Sequence, residues 1–323
     1  MYQNNDDFEI YEDEAASFIK IKDKYRHGHH PKPTRKTSYE SNEDVQRWLK
    51  EQASESSASR EFHPTMLSSQ RDGPWIHSSL SQFYEEDLIS DVLYIAKSGK
   101  EASVFCCVAH PDTAYDVLAA KVYRPRMFRN LRNDAIYRQS RVVVDEHKKA
   151  MGNSRAKRVM SRKNAKSRAL QVSSWIGFEY ETQIQLYEAG VHVPKPLSHI
   201  GNAILMEYLG DREKQAPLLR EVILEAEEAR PLFEQILADI ELMFAHNRVH
   251  GDLSEYNILY WEGAVMLIDF AQAVDPRHSP AVLQLLQRDI ERVCQYFSAY
   301  GIEASAQEIA YDLWSRYMGP LPD

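Results

Sequence analysis

From Ile89 onward the chain alternates short, β-rich apolar runs with turn residues. Ile89–Ile95, Ala102–Ala109 and Val117–Tyr123 are such runs, parted by Lys97-Ser98-Gly99-Lys100 and by His110-Pro111-Asp112. Runs of this length predict an antiparallel sheet, with Gly, Pro and Asp standing where the chain has to reverse. A helix is predicted from about Trp175 to Ala189, stopped by Gly190 and followed by Pro194 and Pro196. Two more strands follow, Leu197–Ile200 and Ala203–Tyr208. Past Gly210 the period changes. Phe233, Ile236, Leu237, Ile240, Met243 and Phe244 recur at helical spacing and predict a buried stripe. Short strands around Ile258–Tyr260 and Val265–Ile268, then helices near 280–299 and 305–317, complete the pattern. A five-strand antiparallel lobe with one main helix, followed by a mainly helical lobe, makes a bilobal α+β domain with a cleft between the lobes.

Residues 1–75 read differently. They are polar, weakly periodic and rich in Ser, Pro and His, with one short helix expected over Ser41–Gln52 and a linker at Ser54–Ser59. The expected division is a flexible extension over 1–75 and a folded domain over 76–323. Within that domain one lobe covers 76–208, including a basic insertion over 124–174, and the second covers 210–323.

Charge sharpens this picture. The net charge is −9, yet Arg124–Arg168 holds 15 Lys/Arg against Asp134, Asp145 and Glu146, or +12, which leaves −21 elsewhere. Clustered cations on an acidic body predict contact with a phosphate backbone, and RNA is the expected partner. No apolar run approaches the ~20 residues that span a bilayer, and the N-terminus lacks a signal-like apolar stretch. No membrane contact and a cytoplasmic location are expected. Cys106, Cys107 and Cys294 lack metal-ligand spacing and read as packing residues, and His27, His29 and His30 read as a surface tract.

The chemistry concentrates in Val249-His-Gly-Asp-Leu-Ser-Glu-Tyr-Asn-Ile-Leu-Tyr260 and Val265-Met-Leu-Ile-Asp-Phe-Ala271. Asn257 lies five residues after Asp252, and Asp269 twelve further on, past a strand. Phosphoryl transfer needs this order: one acid to orient the attacking hydroxyl, then an Asn and an Asp to hold Mg²⁺ on the phosphates. Lys121, inside a β run, suits the lysine that grips the α- and β-phosphates. Its carboxylate partner is expected on the following helix. Glu179 shares a face with Trp175, Ile176 and Leu186, whereas Glu181 shares one with Phe178 and Ile184, so Glu179 is chosen. Ser98, Gly99, Lys100, Glu101, Ser103 and Val104 form the expected loop over the nucleotide, and Met206, Glu207 and Leu209 the expected hinge against adenine.

With these pieces placed, the sequence resembles the RIO kinases, with most likeness to the Rio1 branch. The residues that carry the likeness are Ser98-Gly-Lys-Glu-Ala-Ser-Val104, Ala120-Lys-Val-Tyr123, Leu186-Tyr-Glu-Ala-Gly190, Met206-Glu-Tyr-Leu-Gly210, Ala216-Pro-Leu-Leu219, His250–Leu259 and Ile268-Asp-Phe-Ala-Gln272. The resemblance implies an atypical Ser/Thr kinase, truncated relative to ordinary kinases, that binds ATP with Mg²⁺ (or Mn²⁺) and autophosphorylates on serine. It implies Asp252 as catalytic acid, Asn257 and Asp269 as metal ligands, ATPase turnover through an aspartyl-phosphate at Asp269, and work on the pre-ribosomal small subunit. Two other readings stay open: a small-molecule kinase of the aminoglycoside or choline type, and a nucleotide-gated assembly factor with little turnover.

Overall fold

The computed structural model describes residues 62–64, 66, 73–99, 101–123 and 165–321. The expected helix over 41–52, the linker at 54–59, the histidine tract, Lys100 and the basic segment up to residue 164 lie outside the described residues.

The first lobe is built on one antiparallel sheet. Strands β1 (Ile89–Ser98), β2 (Ala102–Ala109), β3 (Val117–Tyr123), β4 (Pro196–Ile200) and β5 (Ala203–Glu207) lie in the order β1-β2-β3-β5-β4. The central strand, β3, is buried along its whole length, which fits its run of Val, Leu, Ala and Tyr. Helix α1 (Gly73–Glu85) covers one face, where Leu80 and Phe83 pack with Val92, Phe105, Cys107 and Leu118. The hydrophobic pattern alone did not separate this helix. Phe62 joins the same cluster, stacked on Tyr84. Adjacent Cys106 and Cys107 point to opposite faces of β2, as alternation requires, and both are buried.

Helix α2 (Ala165–Glu188) begins ten residues before the predicted start. Its first turns read Ala-Lys-Ser-Arg-Ala-Leu-Gln-Val-Ser-Ser, which has helix formers but no apolar stripe for periodicity to detect. It ends where predicted. Gly190 adopts φ +87°, and the Val191 N–H returns to the Leu186 carbonyl at 3.0 Å.

The second lobe packs α3 (Ala226–Ala245), α4 (Val282–Ser298) and α5 (Ala306–Tyr317) with the hairpin β6 (Ile258–Trp261) and β7 (Ala264–Leu267). The α3 stripe of Phe233, Ile236, Ile240, Met243 and Phe244 faces Leu286, Val293, Phe297 and Trp314 in one continuous core. Tyr123, Trp175, Ile176, Ile204 and Ala271 form a smaller cluster joining β3 and α2 to the loop after β7. That cluster sets the floor of the cleft.

Among the described residues no helix is long and apolar enough to cross a membrane.

Candidate active site

Two loops carry the acidic residues, and the backbone ties them together. Val249 and Val274 exchange hydrogen bonds of 2.9 Å in both directions, and the Ile268 N–H donates to the Asn257 carbonyl at 3.0 Å. His250 Nε2 lies 3.1 Å from the Ile268 carbonyl. Gly251, at φ +78°, passes so close to the second loop that a Cβ there would lie 2.4 Å from the Gln272 carbonyl oxygen. Only glycine fits that crossing. Asp269 itself sits at φ +71°, a left-handed conformation that Asp tolerates better than most residues and that recurs at functional sites.

The ion pairs follow from this frame. Lys121 Nζ lies 2.7 Å from Glu179 Oε1 and 2.7 Å from Asp269 Oδ1. The Tyr123 hydroxyl donates to the other Glu179 oxygen. Burial alone would lower the Lys121 pKa, but the charges of Asp269 and Glu179 win and hold it above the ordinary lysine range. Burial would likewise push Asp269 up, yet the Lys121 ammonium outweighs it and keeps the carboxyl below its usual range. At Glu179 burial prevails and raises the pKa, although Lys121 and Tyr123 oppose it. The side chain of Glu179 is 3% exposed, whereas that of Asp269 is 43% exposed. Glu181 is exposed, so the helical-face argument picked out the residue that reaches Lys121.

Asp252 is held from the other side. Arg292 Nη1 on α4 donates to Asp252 Oδ1 at 2.8 Å. Asn257 Nδ2 donates to the Asp252 carbonyl at 2.8 Å, so the amide oxygen is the atom that a cation could use. Asp289, 2% exposed, accepts from the Gly251 N–H at 2.7 Å and the Leu253 N–H at 3.1 Å, and Arg288 donates to the Gly251 carbonyl. Burial raises the Asp289 pKa against the charges and amide donors around it. The acidic loop is thus anchored on α4.

Above these groups the cleft encloses about 260 Å³, close to the lower end of small-molecule sites. Val104, Ala119, Met206, Leu259 and Ile268 make its apolar walls, and Lys97, Lys121, Glu179 and Asp269 line its charged end. Gly99, Glu101, Glu207 and Leu209 also line it. The Gly99 N–H donates to the Ala102 carbonyl at 2.9 Å, and Lys97 and Ser98, placed in a turn by the sequence pattern, belong to β1. Ser103 is buried on β2 opposite Ser98.

The RIO domain family matches residues 121–310, more than half of the chain. The chain belongs to the RIO family of serine/threonine kinases. The archaeal RIO-type serine/threonine-protein kinase Rio1 of Thermoplasma acidophilum is 38% identical over 138 residues, 43% of this chain and 71% of that protein. Human RIO1 is 29% identical over 67% of this chain, but the match spans only 34% of the human protein. Haloferax volcanii Rio1 is 30% identical over 66% of this chain and 65% of its own length. Among solved structures, the Rio2 kinase of Chaetomium thermophilum matches with a TM-score of 0.52 at 18% identity, covering 84% of this chain and 86% of that one. The Rio2 ADP/Mg²⁺-phosphoaspartate complex from the same organism matches with a TM-score of 0.50 at 19% identity, over 73% and 66%. These two likenesses establish the bilobal fold.

Among the residues of this RIO-family site that were not picked out from sequence are Tyr123, Arg288, Asp289 and Arg292. One signal existed. Asp289 interrupts the apolar stripe Leu286-Ile290-Val293, and a carboxylate in a buried stripe needs polar partners. Nothing in the linear pattern says which loop supplies them.

The site fits a magnesium-bound nucleotide. Apolar walls suit a flat heteroaromatic base, the cations suit phosphates, and a carboxylate with an amide oxygen is a hard donor set for Mg²⁺. Among the described residues no group of three or more His, Cys, Asp or Glu could hold a metal by protein ligands alone.

Proposed function

We propose that this chain is a Mg-ATP-dependent kinase that phosphorylates serine on protein, itself included. The observation that carries this reading is Lys121, buried and charged, held 2.7 Å from both Glu179 and Asp269 at the charged end of an apolar cleft. Lys121 would grip the phosphates, with Glu179 and Tyr123 fixing its direction. Asn257 and Asp269 would hold Mg²⁺, which neutralises developing charge on the phosphates. Met206, Glu207 and Leu209 would border the base, and Ser98, Gly99, Glu101, Ser103 and Val104 would cover it. Asp252, steadied by Arg292, would orient the acceptor hydroxyl and take its proton.

A second working mode is supported by the Rio2 relative crystallised with ADP, Mg²⁺ and a phosphoaspartate. In it Asp269 would accept the phosphoryl group and water would release it, giving a slow ATPase. The basic segment Arg124–Arg168 would contact RNA of the pre-ribosomal small subunit, in the cytoplasm.

Incubation with γ-labelled ATP and Mg²⁺ tests the reading. Acid-stable phosphoserine, abolished by Asp252→Ala with nucleotide binding retained, is the expected result. Label in acyl-phosphate, or only in released phosphate, would favour the ATPase mode. Label on a small alcohol but not on protein would refute the protein-kinase assignment.

A further inference from the structure

Lys97 lies near the end of β1 and lines the charged end of the cleft. Its direction is set by an irregularity in the strand. Ile95 pairs with Phe105 and Lys97 pairs with Val104, so two steps along β1 match one step along β2. Ala96 is therefore the extra residue of a β-bulge. In a regular strand Lys97 would follow Ile95 onto the face that packs Phe105 and α1. The bulge turns it over. Residues paired across strands share a face, and Val104 lines the cleft.

The same row continues onto β3, where Val104 pairs with Lys121. Lys97, Val104 and Lys121 thus stand side by side on the cleft face. The two lysine backbones are about 10 Å apart, two strand spacings, within reach of a polyphosphate lying between them. Their surroundings differ. Lys121 is engaged by Glu179 and Asp269, whereas among the described residues no carboxylate lies within ion-pairing distance of the Lys97 ammonium. Lys97 is exposed to solvent where it lines the cleft. An exposed, solvated ammonium in the same row as Lys121 is placed to meet an anion that enters the cleft.

We propose that Lys97 is a second phosphate-binding lysine of this site, gripping the polyphosphate of a bound nucleoside triphosphate from β1 while Lys121 grips it from β3. This rests on the nucleotide-binding reading above. It also accounts for a covering loop with a single glycine: a side-chain ammonium takes over charge neutralisation that a longer run of backbone N–H groups would otherwise share.

The test is calorimetric binding of ATP and of adenosine to the full chain with Mg²⁺, for the unaltered protein, Lys97→Met and Lys97→Arg. Lys97→Met should weaken ATP roughly 10-fold or more, as loss of a charge-assisted hydrogen bond implies, while adenosine affinity stays unchanged. Lys97→Arg should keep most of the ATP affinity. Equal ATP affinity in Lys97→Met and the unaltered chain, or equal losses for ATP and adenosine, would overturn the role of Lys97 and leave nucleotide binding standing. Failure of the unaltered chain to bind ATP would overturn both.

Discussion

Replacing Lys121 with Met should destabilise the fold as well as stop phosphate positioning, and the structure says which partner causes the loss. Both carboxylates lie 2.7 Å from the ammonium. Asp269 has 43% of its side chain exposed and can turn to water when the lysine goes. Glu179, 3% exposed, cannot; among the described residues it would keep only the Tyr123 hydroxyl. Breaking a buried pair by removing one partner costs about 3–5 kcal/mol, because the remaining charge stays desolvated. The residual Tyr123 bond argues for the lower end, ~3 kcal/mol, or a urea midpoint lower by roughly 1 M. Lys121→Met with Glu179→Leu removes both charges and should recover most of that loss, since apolar replacement of a buried pair is often neutral. Urea unfolding of the two variants, followed by circular dichroism, gives the comparison. If the double variant is no more stable than the single one, Glu179 is not the source of the cost and the burial argument is wrong.

Two further outcomes follow from the same geometry. Arg292→Ala releases Asp252 from its 2.8 Å contact, so kcat should fall roughly 10- to 100-fold, as expected for a misaligned acid, while the ATP affinity holds; loss of both together would argue for general unfolding of the loop. Asp269→Asn tests linkage. Lys121 holds the Asp269 carboxyl below its usual range, so the folded state binds this proton less readily than the unfolded chain. The stabilisation is complete above the unfolded value near ~4 and fades as the pH falls through the lower folded value. The stability difference between the unaltered chain and Asp269→Asn should be largest at neutral pH and shrink in acid, and a difference independent of pH would count against the ion pair.

Much of the site was legible before the fold was known. Asp252, Asn257 and Asp269 sit at fixed distances along the chain, bounded by strands whose apolar runs are plain to see. Glu179 could be preferred to Glu181 because one helical face carries Trp175, Ile176 and Leu186. Less legible were α1 and the first turns of α2. The latter lack an apolar stripe, and α1 lies in a stretch that the strand and helix patterns on either side did not mark.

The strands, the longer helices and the acidic loop residues could be read from the order of residues, because each depends on period and spacing within a short stretch of chain. The other contacts depend on packing. Arg292 meets Asp252 and Asp289 meets Gly251 only once α4 packs beneath the loop. Lys97 joins Lys121 only because one extra residue in β1 turns a side chain from one face of the sheet to the other. Charged partners far apart in sequence are chosen by packing and desolvation, and a linear pattern does not record either.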